Sequence, residues 1–589
     1  MNRSNPAGST RQTSSNRFVL LLWLVNLLTA VPVAIGQPEL TAPFTRVTAA
    51  PFNTISDGSV SAAWGDFNND GWLDLFVGNQ DYGGLTNLLY QNNRDGTFRQ
   101  VTDRPVATDR AGSAHASTWI DYNNDGWLDL FIVSLGSATN ALYQNTGDGR
   151  FVRMPFAEVG PIARDTGSVA AAWADYDADG RLDLFVGNGA LIENKRDWLY
   201  HNEGEGKFTK VANAITLPAK QTMQGVWSDF DNDGDPDLLV THYSDQGTSL
   251  FRNDGAGRFV DVAVTSGLTD RSESAGAAWG DYDNDGDPDL LIANLRLGAP
   301  NTRNFLYRNQ GNGTFERVTT GALAEDLFHY LTCSWVDYDN DGWLDVFMTI
   351  PHGTEDRIKN RLYHNQGDGN FALVTEGSVV TDVGDAGGAA WGDYDNDGFP
   401  DLFVAFSAFP TLIAPTNALY HNNGNTNNWI KVRCVGTVAN RSAIGTKVRV
   451  KATIGGVERW QMREIFGTEG WLSFNSLDAI IGLGDATVVD LLRIEWPSGI
   501  VQEFKKVPVR QTLTIVERTE LTIAAGSEGN FQLTLKGPRQ QRYRLDAFSN
   551  LNGWAPWTSV TITNVDRTVS LSYAPTDSTP VKFFRAVPE

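Results

Sequence analysis

Residues 64–76 read WGDFNNDGWLDLF. A tryptophan stands ahead of a nine-residue loop. The loop has acidic or amide side chains at its first, third, fifth and ninth positions and a glycine at its sixth, and an apolar run follows. Related loops begin at Asp121, Asp175, Asp229, Asp281, Asp337 and Asp393, at intervals of 55, 54, 54, 52, 56 and 56 residues. Trp64, Trp119, Trp173, Trp227, Trp279, Trp335 and Trp391 each lie two residues before a loop. Downstream of each loop comes a Leu-Tyr pair (Leu-Phe in the fourth copy), then an Asn, a Gly-rich turn and a Phe, as in LYQNTGDGRF at 142–151. Self-similarity at a fixed spacing of this size marks a repeat architecture.

Each unit predicts four short strands. The first ends at the Trp, the second is the apolar run after the loop, the third holds the Leu-Tyr pair, and the fourth starts at the Phe beyond a tight Gly turn. Seven such units predict an all-β fold with a seven-bladed β-propeller over residues 37–426. A solenoid of the same units is the alternative. The seventh unit has Leu419 and Tyr420 but no strand after them, whereas FTRVT at 44–48 matches FRQVT at 98–102 and FERVT at 315–319. The N-terminal strand is therefore expected to complete the last blade and close the ring, which removes exposed sheet edges.

The loops offer only oxygen donors. The candidate metal ligands are Asp66, Asn68, Asp70 and Asp74; Asp121, Asn123, Asp125 and Asp129; Asp175, Asp177, Asp179 and Asp183; Asp229, Asp231, Asp233 and Asp237; Asp281, Asp283, Asp285 and Asp289; Asp337, Asp339, Asp341 and Asp345; and Asp393, Asp395, Asp397 and Asp401. Carboxylates at this spacing around a turn-forming glycine suit Ca²⁺, which takes six to eight oxygens; Mg²⁺ demands a stricter octahedron. These are the positions of an EF-hand loop without its twelfth-position Glu, set between strands. Solvated polar turns are the other reading, since Asp and Asn favour turns in any case. Up to seven Ca²⁺ are expected, which would take the net charge from −23 to −9.

On these motifs the repeats resemble the FG-GAP/VCBS family over roughly residues 44–426. Its propellers include the integrin α-subunit head, and its hairpin loops of this pattern bind calcium. The resemblance implies fold and metal; function it leaves open among adhesion, lectin and enzyme roles. From Asn427 the period stops. NNWIKVRCVGTVANRSAIGTKVRVKA (427–452), QMREIFGTEGWLSFNS (461–476), IIGLGDATVVDLLRIEWPSG (480–499) and VPVRQTLTIVE (507–517) resemble the ASPIC/UnbV domain, placed at 427–518. That domain follows FG-GAP-type repeats in the cartilage acidic protein-like secreted family. Arg463, Glu464, Ser473 and Asn475 are its polar candidates, the alternative being that they hold turns and buried hydrogen bonds. Residues 519–589 read as a small C-terminal β module of short alternating strands, so two small β-sandwich-like domains are expected after the propeller.

Residues 1–36 read as a signal peptide: Arg3, Arg11 and Arg17 with no acid, then an apolar run over 18–35, then small residues at Ala34 and Gly36. A membrane anchor is the alternative; no later stretch is apolar enough to span. The mature chain is thus expected in the periplasm, on the cell surface or outside the cell. The excess of acid, 70 Asp and Glu against 47 Lys and Arg, argues against nucleic acid. Two cysteines, Cys333 and Cys434, exclude a disulfide scaffold and read as buried thiols, a domain-stapling bridge being the alternative. His201, His364 and His421 share one repeat position with Gln91, Gln144, Arg252 and Arg308, and are read as blade-surface residues. No catalytic group is assigned. The segments at 81–86, 189–197, 243–247, 296–303, 352–359 and 407–415 vary between copies. They place a glycan or protein ligand on the face opposite the calcium loops. A secreted calcium-binding adhesion or binding protein leads; a polysaccharide-active enzyme and a structural matrix component are the alternatives.

Overall fold

A computed structural model describes residues 40–588 except 50, 53–57, 81–85, 110–113, 164, 190–193, 217–218, 256, 296–302, 352–357, 408–415, 469, 526–530, 538–541, 549–553, 562–567 and 574–582. The chain divides into two compact units, Met1–Glu39 and Leu40–Glu589. The signal-peptide reading falls on the first, outside the described residues, as do most of the variable segments between repeats.

The second unit is all-β. Its repeats form seven open antiparallel sheets of four strands from the repeat region, and no sheet closes on itself. In the first, Ser59–Gly65, Asp74–Asn79, Leu88–Asn92 and Phe98–Val101 pair in order, with the acidic loop joining the first two. The seventh takes Ala386–Gly392, Asp401–Phe406 and Ala418–Asn422 from its own repeat and Phe44–Arg46 from the N-terminal side, with Phe44 opposite Asn422.

The first strands of most repeats are rich in Ala, Gly and Ser, as in SVSAAWG, SVAAAWA, SAGAAWG and AGGAAWG, and neighbouring first strands pack against one another. Ser59–Gly65 lies beside both Ala114–Ile120 and Ala386–Gly392. The glycine after the Trp makes room for the next Trp: a Cβ on Gly65 would lie 2.7 Å from the Trp119 ring. Trp119 Nε1 donates to Ala63 O, Trp173 to Thr118 Oγ1, Trp227 to Ala172 O, Trp335 to Ala278 O and Trp391 to Ser334 Oγ. Trp64 Nε1 donates to Ala390 O, joining the first repeat to the seventh at 3.0 Å.

After the repeats, Asn428–Val435 pairs with Ala479–Gly484 and Gln511–Val516, and Val457–Glu464, Lys447–Ile454, Val488–Glu495 and Val501–Pro508 form a second sheet. One apolar core joins these sheets to the second and third repeats. Between them, residues 467–468 and 470–476 leave the domain and enter the repeats. Ser473–Phe474 pairs in parallel with Ser59–Gly65, and Trp471 and Leu472 are buried with Met223, Ala275 and Leu331. The Trp471 ring lies 5.3 Å from His115. Thr468 Oγ1 donates to Ala171 O, and Asn475 Oδ1 accepts from Trp391 N at 2.8 Å. Gly470 packs close to Cys333 O. This one segment reaches the first strand of every repeat. The stapling disulfide is not formed: Cys333 and Cys434 are buried in separate cores. Two three-stranded sheets, drawn from Glu520–Pro588, end the chain.

Candidate metal centres

Each acidic loop folds on its own carboxylates. Asp66 Oδ1 accepts from Asp70 N and Oδ2 from Gly71 N, at 2.9 and 2.8 Å. Asp121, Asp175, Asp229 and Asp393 repeat this pair of bonds. The fourth position is left-handed throughout, φ running from 53° to 61°; it is Asn in six loops and Ala178 in the third. Asn tolerates that conformation better than other non-glycine residues.

The ninth-position Asp opens the second strand and is wholly buried in every loop. Its Oδ1 accepts from the backbone N–H of the third-strand Asn, as in Asn92 to Asp74 (2.9 Å) and Asn365 to Asp345 (2.8 Å). The same Asn reaches back through Nδ2 to the preceding loop. Asn145 binds Phe67 O, Asn202 binds Tyr122 O, and Asn92 binds Tyr394 O of the seventh loop.

The donor set fits a hard divalent cation. Oδ2 of Asp74 and Asp129, and Oδ1 of Asp281 and Asp337, are buried with no hydrogen-bond partner among the described residues. Within Asp175, Asp177 and Asp183, and within Asp229, Asp231 and Asp237, one oxygen from each residue lies within 4.8 Å of the others. Burial, more than mutual repulsion, raises these carboxyls. Asp121, Asp183 and Asp281 are pushed up to about 7, Asp345 to about 8 and Asp237 to about 9. A buried carboxylate needs a compensating charge to stay ionised. A cation among these oxygens would supply it.

His201, His364 and His421, read from the sequence as blade-surface residues, also face the loops. Each is only partly exposed and turns its Nδ1 to the loop: 3.2 Å from Asp183, Asp345 and Asp401, and 3.3–3.5 Å from Asp177, Asp339 and Asp395. The ninth-position carboxylates paired with them raise all three histidines to about 9.

A second set of residues was not legible as part of the site. The domain after Asn427 covers the loop face with cations. Lys431 Nζ lies 2.7 Å from Asp393 Oδ2 and 2.6 Å from Asn396 Oδ1. Lys447 Nζ lies 2.9 Å from Asp229 Oδ2. Arg463 and the Gly482 N–H address Asp337 Oδ2 at 3.7 and 3.1 Å, and Arg433 faces Asp66 at 3.7 Å. Of the four polar residues singled out in this domain, Arg463 meets a loop, Glu464 accepts from Ser228 Oγ at 2.8 Å, and Ser473 and Asn475 lie in the inserted segment. The cations at alternating strand positions, Lys431 with Arg433 and Lys447 with Arg449, were the available signal.

Residues 66–132, 121–186, 190–240, 229–292, 296–348 and 337–404 match the profile of the FG-GAP-like repeat, together more than half of the chain. The chain belongs to the FG-GAP-like repeat family. Residues 436–522 match the ASPIC and UnbV family. This FG-GAP protein is 23% identical to cartilage acidic protein 1 of Homo sapiens over 527 residues, which cover 82% of the chain and 75% of that protein. It is 24% identical to cartilage acidic protein 1 of Xenopus tropicalis over 464 residues, 74% of the chain and 69% of that protein. Among solved structures, a Photorhabdus luminescens Tc holotoxin pore aligns with 85% of this chain and 20% of its own at 15% identity, with a TM-score of 0.31. Among the described residues no helix is long and apolar enough to cross a membrane.

Proposed function

We propose that this FG-GAP protein is an exported, calcium-loaded binding or adhesion protein that performs no chemistry of its own. On this reading its seven sheets are the blades of one closed propeller. The observation that carries it is the recurrence, in all seven repeats, of one loop with three to five carboxylates, the buried ninth-position Asp among them. Seven divalent ions answer both the burial of those groups and their mutual repulsion. Closure is supported by the bonds from Trp64 and Asn92 to the seventh repeat and by the pairing of Phe44–Arg46 with Ala418–Asn422.

The domain after Asn427 occupies the loop face, which leaves the opposite face for a glycan or protein ligand. Five of the seven histidines are engaged structurally: three on the loops, His115 with Val169 O and His242 with Ser249. Metal counting on purified chain, with thermal melts in Ca²⁺ and in EDTA, tests the reading. Up to seven ions and a midpoint that falls in EDTA are expected, since a ligand of the native state raises the midpoint. A chain that takes up no calcium and melts at the same temperature in both overturns it. A glycan and matrix-protein binding screen in Ca²⁺ then tests the ligand half.

A further inference from the structure

The residue just ahead of the third-strand Asn varies among the repeats, and its variation follows the loop of the same repeat. The first two loops carry three acids (Asp66, Asp70, Asp74; Asp121, Asp125, Asp129), and the residue is Gln91 or Gln144. The third, sixth and seventh carry four acids, with Asp in place of Asn at the third position, and the residue is His201, His364 or His421. The fourth and fifth carry five, adding Asp235 and Asp287 at the seventh position, and the residue is Arg252 or Arg308. Three acids go with a neutral amide, four with a histidine and five with a permanent cation, without exception.

The geometry makes the correspondence physical. All seven residues hold the same place on the third strand, one before the Asn whose N–H binds the ninth-position Asp. The histidines point at the third- and ninth-position carboxylates, as given above. Arg252 pairs with Asp254 at 2.9 Å and Arg308 with Glu316 at 3.2 Å on the strand side, and from there each lowers the carboxyl of its third-position residue, Asp231 or Asp283, electrostatically. Gln91, opposite a loop with Asn68, instead accepts from Arg99 of the neighbouring strand.

We propose that this residue is the charge-matching partner of its own loop, so that its identity sets how tightly that loop holds a divalent cation. In this role it acts through its charge, as a positioning residue, although each histidine also brings a ring nitrogen within 4.8 Å of two loop carboxylates. The inference rests on the cation reading for its affinity half only, because the matching also acts in the metal-free chain. A fixed unit charge roughly 6 Å from a divalent ion, screened as in water, changes its binding by about tenfold.

The test uses the full mature chain with CaCl₂ as the probe at chelator-buffered concentrations. Readouts are the ions retained and the metal-free melting midpoint. Arg252→Gln with Arg308→Gln is expected to lower the metal-free midpoint and to tighten two of the bound ions about tenfold. Adding Asp231→Asn and Asp283→Asn, which restores net charge, is expected to return both readouts toward the parent. Gln91→Arg with Gln144→Arg covers the case where the first variant folds poorly, and is expected to weaken two ions about tenfold without lowering the metal-free midpoint. Variants that leave both readouts unchanged, or a compensated variant no closer to the parent than the uncompensated one, overturn the proposal. A parent that binds no calcium defeats the cation reading, while rescue of the metal-free midpoint would still stand for the matching.

Discussion

Ala178 departs from a pattern the other loops keep. At the left-handed fourth position the other six place Asn, and each of these side chains bonds the next loop, as Asn69 Nδ2 does with Gly126 O at 2.8 Å and Asn396 with Gly71 O at 3.1 Å. Ala178 sits at φ 56° with no side chain to donate. Ala178→Asn is expected to stabilise the protein by about 1 kcal/mol, from relief of left-handed strain and one new bond. A higher denaturant midpoint at unchanged slope checks it. Lys431 tests the opposite sign. It is 1% exposed and pairs with Asp393, which is itself buried. Lys431→Met leaves that carboxylate buried and unpaired, and should cost about 3–5 kcal/mol in the metal-free chain. Asp393→Asn added to it should recover part of the loss. The sequence showed Lys431 as a polar position in an alternating strand. It could not show that a loop 38 residues upstream closes over it, because strand periodicity assigns a face and says nothing of what covers the face.

The elements themselves were the most legible level. Apolar runs bounded by Gly turns marked the strands, and the repeat spacing marked the hairpins, because both patterns are local. The inserted segment was not legible. GTEGWLSFNS has turn residues at one end and a short alternating stretch at the other, which reads equally as a surface loop. Its partners lie as far as 411 residues away, at Ala62 opposite Ser473. Gly388 shows how tightly it is held: a Cβ there would lie 2.1 Å from Ser473 Oγ and 3.0 Å from Leu472 O. Gly388→Ala is therefore expected to destabilise by about 1–3 kcal/mol, the usual cost of overpacking. It should also open the 465–478 segment to limited proteolysis. Unchanged cleavage and an unchanged melt would show that the segment is not anchored there.

Across the whole molecule the buried carboxylates set the response to pH. Their folded values, from about 7 for Asp121, Asp183 and Asp281 to about 9 for Asp237, stand above the ordinary 3.8. The metal-free folded chain thus holds more protons than the unfolded chain between about pH 4 and pH 9. Its stability is greatest at the acid end of that window and falls as pH rises through it. The histidines raised from 6.5 to about 9 act in the same direction, their contribution full below 6.5 and lost through 9. In EDTA the chain should melt higher at pH 5.5 than at pH 8. In Ca²⁺ the gap should narrow or reverse, because the ion binds the ionised carboxylates. Calorimetry at the two pH values, with and without calcium, checks both signs. The net charge hinted at crowded acid, but which carboxyls lie away from water follows only from the packing.

The strand Phe44–Arg46 carries a consequence for biosynthesis. Its hydrogen-bonding edge is met by Ala418–Asn422, and Thr45 bonds Asn423 across 378 residues of chain. At ordinary rates of translation of about 5–20 residues per second, that partner leaves the ribosome roughly 20–75 s after the strand does. For that interval one of the earliest parts of the folded unit to be made has an unpaired edge, so a holding factor that shields nascent chains, or transport while still unfolded, would spare this protein from aggregation at its leading end.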